Sequence, residues 1–101
     1  MIVYNITLKI NPSILEKWIQ WQKGEHIPEI MATGFFSDYK FYKLLEQDES
    51  EGPTYVVQFF ADSYEKYNKY IAEFATELRT KSLEKWGNGF VAFRSILQVV
   101  D

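Results

Sequence analysis

Glu25-His26-Ile27-Pro28-Glu29-Ile30-Met31-Ala32-Thr33-Gly34-Phe35-Phe36 sets the architecture of the chain. Proline has no N–H, and its ring clashes with the carbonyl four residues back, here that of Gly24. A helix entering this stretch must therefore kink or restart near residues 24–28. The last turn runs from Glu29 to Thr33, and Gly34 suits the position just past a helix end. Phe35 and Phe36 then carry the chain into an aromatic strand. The stretch also holds the only histidine, the one side chain whose unperturbed pKa lies near neutrality.

Toward the N-terminus, Ile14, Leu15, Trp18, Ile19 and Trp21 recur at helical spacing. Asn11 caps this helix with Pro12 at its first position, or Ser13 caps it with Glu16 closing a capping box. Before it, Ile2, Tyr4, Ile6, Leu8 and Ile10 alternate with Val3, Asn5, Thr7 and Lys9, which is the period of a strand. Toward the C-terminus, Phe35 to Glu46 reads as a long strand, aromatic on both faces. An acidic turn, Gln47 to Pro53, leads into a third strand, Thr54 to Phe60, and the two form a hairpin. Asp62 with Glu65 opens a second helix, whose apolar stripe is Tyr67, Tyr70, Ile71, Phe74, Ala75 and Leu78. Gly87-Asn88-Gly89 stops it. Phe90 to Val100 is the fourth strand, with Val91, Phe93, Ser95, Leu97 and Val99 on one side.

The order β-α-β-β-α-β in a chain of 101 residues predicts an α+β, ferredoxin-like sandwich as a single domain, residues 1–101. A four-stranded antiparallel sheet carries both helices on one face, and the other face must be solvated or covered. The strands are too apolar on both sides for full solvation. The expected partner is a second copy of the chain, packed sheet on sheet, and stable if each copy buries about 800 Å².

Composition narrows the function. Aromatic residues make up 18% of the chain, with eight Phe, seven Tyr and three Trp. One small core does not easily enclose so many, so some should line a cavity, an interface or the surface. The net charge of −3 argues against a nucleic-acid footprint. The third strand, Thr54 to Phe60, also lacks the basic, glycine-containing start of an RNA-recognition strand. Cysteine is absent, which excludes thiolate nucleophiles and cysteine-ligated metals. No apolar run approaches the roughly 20 residues that cross a bilayer, and no secretory leader is read at Met1 to Asn5. The expectation is a cytoplasmic protein without membrane or nucleic-acid partners, metal or cofactor.

The βαββαβ pattern, the aromatic sheet and the helix-end His26-Ile27-Pro28 resemble the dimeric α+β barrel superfamily. More narrowly, Ile2 to Thr7, Glu25 to Gly34, Leu44 to Gln47 and Tyr55 to Asp62 resemble an uncharacterised bacterial family of similar length, a domain of unknown function. The superfamily includes cofactor-free quinone-forming monooxygenases, haem-degrading enzymes, small isomerases and stress-response proteins. Some of its oxygenases place an asparagine on the first strand, at a position that resembles Asn5. The haem-degrading branch uses a histidine on the second helix, where this sequence has none.

Several residues are candidates for a site, each with an ordinary structural alternative. His26 suits a general base or acid, or a group that orients a ligand carbonyl. Equally, it suits a local plug that bonds the carbonyls freed by Pro28. Asn5 sits in mid-strand, where asparagine is disfavoured. It is a polar group of a pocket or a half-exposed strand residue. Thr7 shares its face. Gln58 and Arg94 are polar within otherwise apolar strands. Arg94 suits an anionic group of a substrate, or an acid across a dimer. Trp18, Trp21 and Trp86 form an aromatic cage or simply core. Glu46, Asp48, Glu49 and Glu51 match no calcium loop and read as a solvated turn. No Ser-His-Asp set, phosphate loop or dinucleotide fingerprint is present.

The expected function is therefore the binding of a small apolar or aromatic molecule in a pocket between sheet and helices, with cofactor-free monooxygenase- or isomerase-like chemistry as one extension. In that extension His26 moves a proton and Asn5 or Arg94 steadies an oxyanion. The alternative is a non-enzymatic interaction or regulatory protein whose aromatics serve only core and dimer. One geometric fact links the candidates. Asn5 and His26 share a site only if the Asn5–Thr7 side of the first strand faces the helices.

Overall fold

In the computed structural model, which describes residues 1–101, strand β1 spans Ile2–Ile10 and lies inside the sheet. A 3₁₀ turn, Pro12–Ile14, leads into helices α1, Leu15–Trp21, and α2, Ile27–Ala32, which a π turn over Gln22–His26 joins into one rod. Strands β2, Asp38–Lys43, and β3, Thr54–Ala61, follow. A second rod comprises α3, Tyr64–Tyr70, a π turn over Ile71–Ala75, and α4, Thr76–Trp86. Strand β4, Phe90–Gln98, closes the chain. The sheet is antiparallel in the order β2-β3-β1-β4. This is the expected α+β ferredoxin-like arrangement.

The alternation of β1 fixes which side is core. Ile2, Tyr4, Leu8 and Ile10 are buried and belong to one apolar cluster with Trp18, Trp21, Ile27, Ile30, Tyr70 and Leu78 from the helical rods. Side chains alternate across a strand, so Val3, Asn5, Thr7 and Lys9 lie on the helix-free side. Register carries the division across the sheet. Asn5 stands opposite Gln58 and Ser95, and Ile6 opposite Val57 and Arg94. Gln58 and Ser95 therefore join Asn5 on the open face, while Val57 and Arg94 face the helices.

Local details follow from the sequence. Asn11 is the cap used, since its side chain accepts from the Ser13 N–H at 2.9 Å. Proline at 28 does not restart the first helix. The rod widens instead, and the Ile27 N–H reaches the Gln22 carbonyl five residues back. Such a turn absorbs one extra residue and gives the Pro28 ring room beside the Gly24 carbonyl. The second π turn has a comparable effect on packing. In an unbroken α-helix Tyr70 and Leu78 would sit about 80° apart; with one residue absorbed they return to within about 20°. Both are buried.

Several boundaries differ from the expected ones. Strand β2 begins at Asp38 because Phe36 turns into the core and Ser37 anchors to the Phe60 carbonyl. It ends at Lys43, short of Glu46, which adopts a φ of 58°. The second rod is capped by Ser63, not Asp62, because the Ser63 hydroxyl accepts from the Lys66 N–H. The fourth strand stops at Gln98.

Candidate functional site

The chain has only two arginines among eleven basic residues, and both reach the same oxygen. Arg79 Nη2, on α4, donates to Tyr4 Oη at 2.8 Å, and Arg94 Nε, on β4, donates to it at 3.2 Å. Tyr4 is almost wholly buried, its ring held among Phe36, Phe59, Tyr67 and Tyr70. A phenol oxygen offers two lone pairs and one proton. Both lone pairs are used here, so the Tyr4 O–H is left to donate.

These groups border a chamber of about 30 Å³ between sheet and helices. Ile6, Leu8, Val57, Phe59 and Phe90 form its sheet side, and Ile30, Tyr70 and Leu78 its helix side. Gln22 and His26 enter from the first rod and Ser82 from the second. The first π turn places Gln22 and His26, since Gln22 opens it and His26 closes it. Beyond the arginines the lining contains no charged residue. All five ion pairs of the chain engage lysines, so neither guanidinium has a carboxylate partner. Arg79 Nε is buried with no partner at all.

His26 lies half-buried against Trp21, with ring centroids 4.4 Å apart and planes 16° from parallel. Burial pulls its pKa down to about 4; Glu29 opposes the shift, while Lys81 and Arg94 add to it. The imidazole is therefore neutral at pH 7. Its Nδ1 is buried without a hydrogen bond. The expected plug on the carbonyls freed by Pro28 is thus not formed, because the π turn has already re-paired the local backbone. Burial also pushes the Tyr70 hydroxyl well above the usual phenol range, with Tyr4 adding to the effect, so Tyr70 stays protonated.

The structure divides the candidate residues. His26 and Arg94 share the chamber. Asn5, Thr7 and Gln58 lie on the open sheet face and satisfy one another, Gln58 Nε2 donating to Asn5 Oδ1 at 3.1 Å and Asn5 Nδ2 to Thr7 Oγ1 at 3.3 Å. An Asn5–His26 site is therefore excluded by the sheet between them. The tryptophans form no cage. Trp18 is fully buried against Phe41 and Tyr55, and Trp21 packs edge-on to Trp86. The acidic turn is tied down by Lys43–Glu49 and Lys9–Glu51 pairs, and no three His, Cys, Asp or Glu residues come together to hold a metal. No helix is long and apolar enough to cross a membrane.

Sequence reasoning missed Tyr4, Gln22, Arg79 and Ser82. Tyr4 looked like one more apolar residue of an alternating strand. Arg79 lay on a helix otherwise studded with lysine, and the signal available was its rarity. Lysine serves everywhere else on this surface, so the two arginines were the residues to connect.

A model of a domain of unknown function, DUF4286, matches residues 1–100. No curated protein sequence matches the chain. Solved structures similar to it include an ethyl tert-butyl ether (EthD) family protein from Bacillus halodurans, with a TM-score of 0.73 at 15% identity, covering 99% of this chain and 100% of that one. SnoaB, a cofactor-independent oxygenase from Streptomyces nogalater, is similar at a TM-score of 0.68 and 9% identity, covering 99% and 93% of the two chains. A dimeric ferredoxin-like protein from an uncultured marine organism reaches 0.69 at 18% identity, covering 100% and 96%. Likeness at such identities establishes the fold, not the activity.

Proposed function

The chain belongs to the DUF4286 family, and we propose that it is a homodimeric protein that binds a small organic molecule in the chamber between sheet and helices. The observation that carries this reading is the convergence of Tyr4, Arg79 and Arg94, with His26 beside them, on an apolar-walled space. A few inward polar groups in an aromatic wall are the composition of a ligand site. The chamber volume sets a condition. At about 30 Å³ it admits roughly two waters or one polar head group, against about 300 Å³ or more for an ordinary ligand pocket. The bulk of the molecule must therefore enter past Arg94, which is exposed on the edge strand, and part its contact with Tyr4. Proton transfer from such a molecule would fall to neutral His26, with Arg94 facing the resulting oxyanion. That chemistry is cofactor-free, as in the monooxygenase- and isomerase-like members of the superfamily. Asn5 takes no part in it.

Dimerisation is supported by the open face. Val91, Phe93 and Leu97 are 55%, 65% and 43% exposed there, beside half-exposed Tyr42. A similar fold occurs in proteins described as dimeric. The small chamber favours a second reading, a non-enzymatic protein whose aromatics serve core and dimer alone. A thermal-shift screen of small aromatic compounds separates the two. Stabilisation of the wild type that disappears in His26→Ala supports the chamber, and a screen in which nothing stabilises the wild type supports the second reading.

A further inference from the structure

We infer that the molecule bound in the chamber carries a carboxylate, and that Arg79, Arg94 and the Tyr4 hydroxyl receive it. The inference rests on the chamber being a ligand site and goes further by naming the chemical class. Three observations carry it.

First, the chain is acidic overall, yet its chamber holds two cationic side chains and no acid. Arg79 is partly drawn out of water, which is costly for a guanidinium unless it is paired, while Arg94 reaches the chamber from an exposed position on the edge strand. Evolution of a purely structural core has little reason to gather both arginines of the chain there.

Second, the present partner is inadequate. Two guanidinium groups share one neutral phenol oxygen, and Arg79 Nε has nothing. Planar guanidinium forks match the two oxygens of a carboxylate, and such charge-assisted bonds are roughly twice as strong as neutral ones. Lysine, used at every surface ion pair of this chain, lacks that fork.

Third, the array consists mainly of donors. The Tyr4 O–H remains free to donate because its oxygen already accepts twice. A ligand group rich in acceptors is required, and the chamber volume fits a group of carboxylate size. Two sources offer that chemistry, a free organic acid or an acidic side chain from the second copy. Arg79 stands on a helix inside the chamber, and the free acid is the source proposed.

Isothermal titration of the purified protein with benzoate, and with benzamide as its neutral counterpart, tests the inference. Saturable binding of benzoate, at least about tenfold tighter than benzamide, is expected, with Arg79→Gln and Arg94→Gln each weakening benzoate by about tenfold or more. If a glutamine variant fails to fold, the arginine Nε–H resonances of the wild-type protein serve instead, and those of Arg79 and Arg94 shift with benzoate. Equal binding of benzamide and benzoate overturns the carboxylate while leaving the chamber as a ligand site. Binding of neither, in a protein whose Arg94→Gln variant falls apart to monomers, assigns the acid to the second copy and overturns the inference. Binding of neither without that loss overturns both the inference and the chamber reading.

Discussion

Trp21 and His26 lie face to face, their ring centroids 4.4 Å apart and their planes 16° from parallel. The indole covers one side of the only histidine and helps keep water from it, and burial lowers its pKa to about 4. Between about pH 6.5 and pH 4 the unfolded chain therefore takes up a proton that the folded chain refuses, so stability rises with pH across that window. The contribution is fully present at neutral pH and is lost as pH falls, by an amount on the order of 3 kcal/mol. Charges that bear on the ring are Glu29, Lys81 and Arg94. Urea midpoints measured from pH 7 to pH 4 should fall more steeply for the wild type than for His26→Gln, which cannot titrate. Parallel curves for the two proteins would mean that His26 is not held neutral.

Tyr4→Phe removes the shared acceptor and leaves both guanidinium groups short of a partner. We expect a loss of about 1–3 kcal/mol in chemical denaturation, although the ring itself and its packing are retained. An unchanged midpoint would show that the two arginine contacts are replaced by water without cost.

Gly52 packs against the backbone of β1. Its φ is +116°, and a Cβ there would lie 2.1 Å from the Ile10 carbonyl oxygen. Gly52→Ala should therefore destabilise the protein by about 1–3 kcal/mol through backbone strain and displacement of the loop. Because Gly34 has a comparable φ of +82° but open space around its Cβ position, Gly34→Ala should cost less. Equal losses at the two sites would remove the close-approach argument.

Phe93 is 65% exposed on the open sheet face. Phe93→Glu should leave the fold of the single chain intact and convert a dimer to a monomer, read as a halving of mass by light scattering. A wild type that is monomeric at high concentration, or a Phe93→Glu protein that stays dimeric, would place the interface elsewhere or remove it.

Much of the fold was legible because β1 alternates cleanly and each helix carries an apolar stripe. The stretch from Glu25 to Gly34 also read correctly as helix end and reversal, whereas Phe35 and Phe36 precede the strand, which begins at Asp38. What it concealed was how Pro28 is accommodated, since a kink and a π turn relieve the same clash and differ only in where the carbonyls pair. The site was half legible. His26 and Arg94 were visible as polar residues in apolar surroundings, but Asn5 and Gln58 gave the same signal from the opposite face. The sequence shows that the Ile2–Ile10 side of β1 is the apolar one, but such a side could pack on the helices or on a second sheet, and only long-range packing decides between them. Tyr4 and Arg79 come together across seventy-five positions, a contact that no local pattern encodes.

The central claim, that the chamber is a ligand site, is tested most directly by nuclear magnetic resonance. His26 is the only histidine, so its ring signals are unambiguous, and the side-chain amides of Asn5 and Gln58 report on the opposite face of the sheet. Titration with a set of small aromatic acids and their neutral counterparts should shift the His26 ring in a saturable manner and leave the Asn5 and Gln58 amides in place. Shifts confined to Asn5 and Gln58, or no saturable shift of His26 with any compound, would contradict the account.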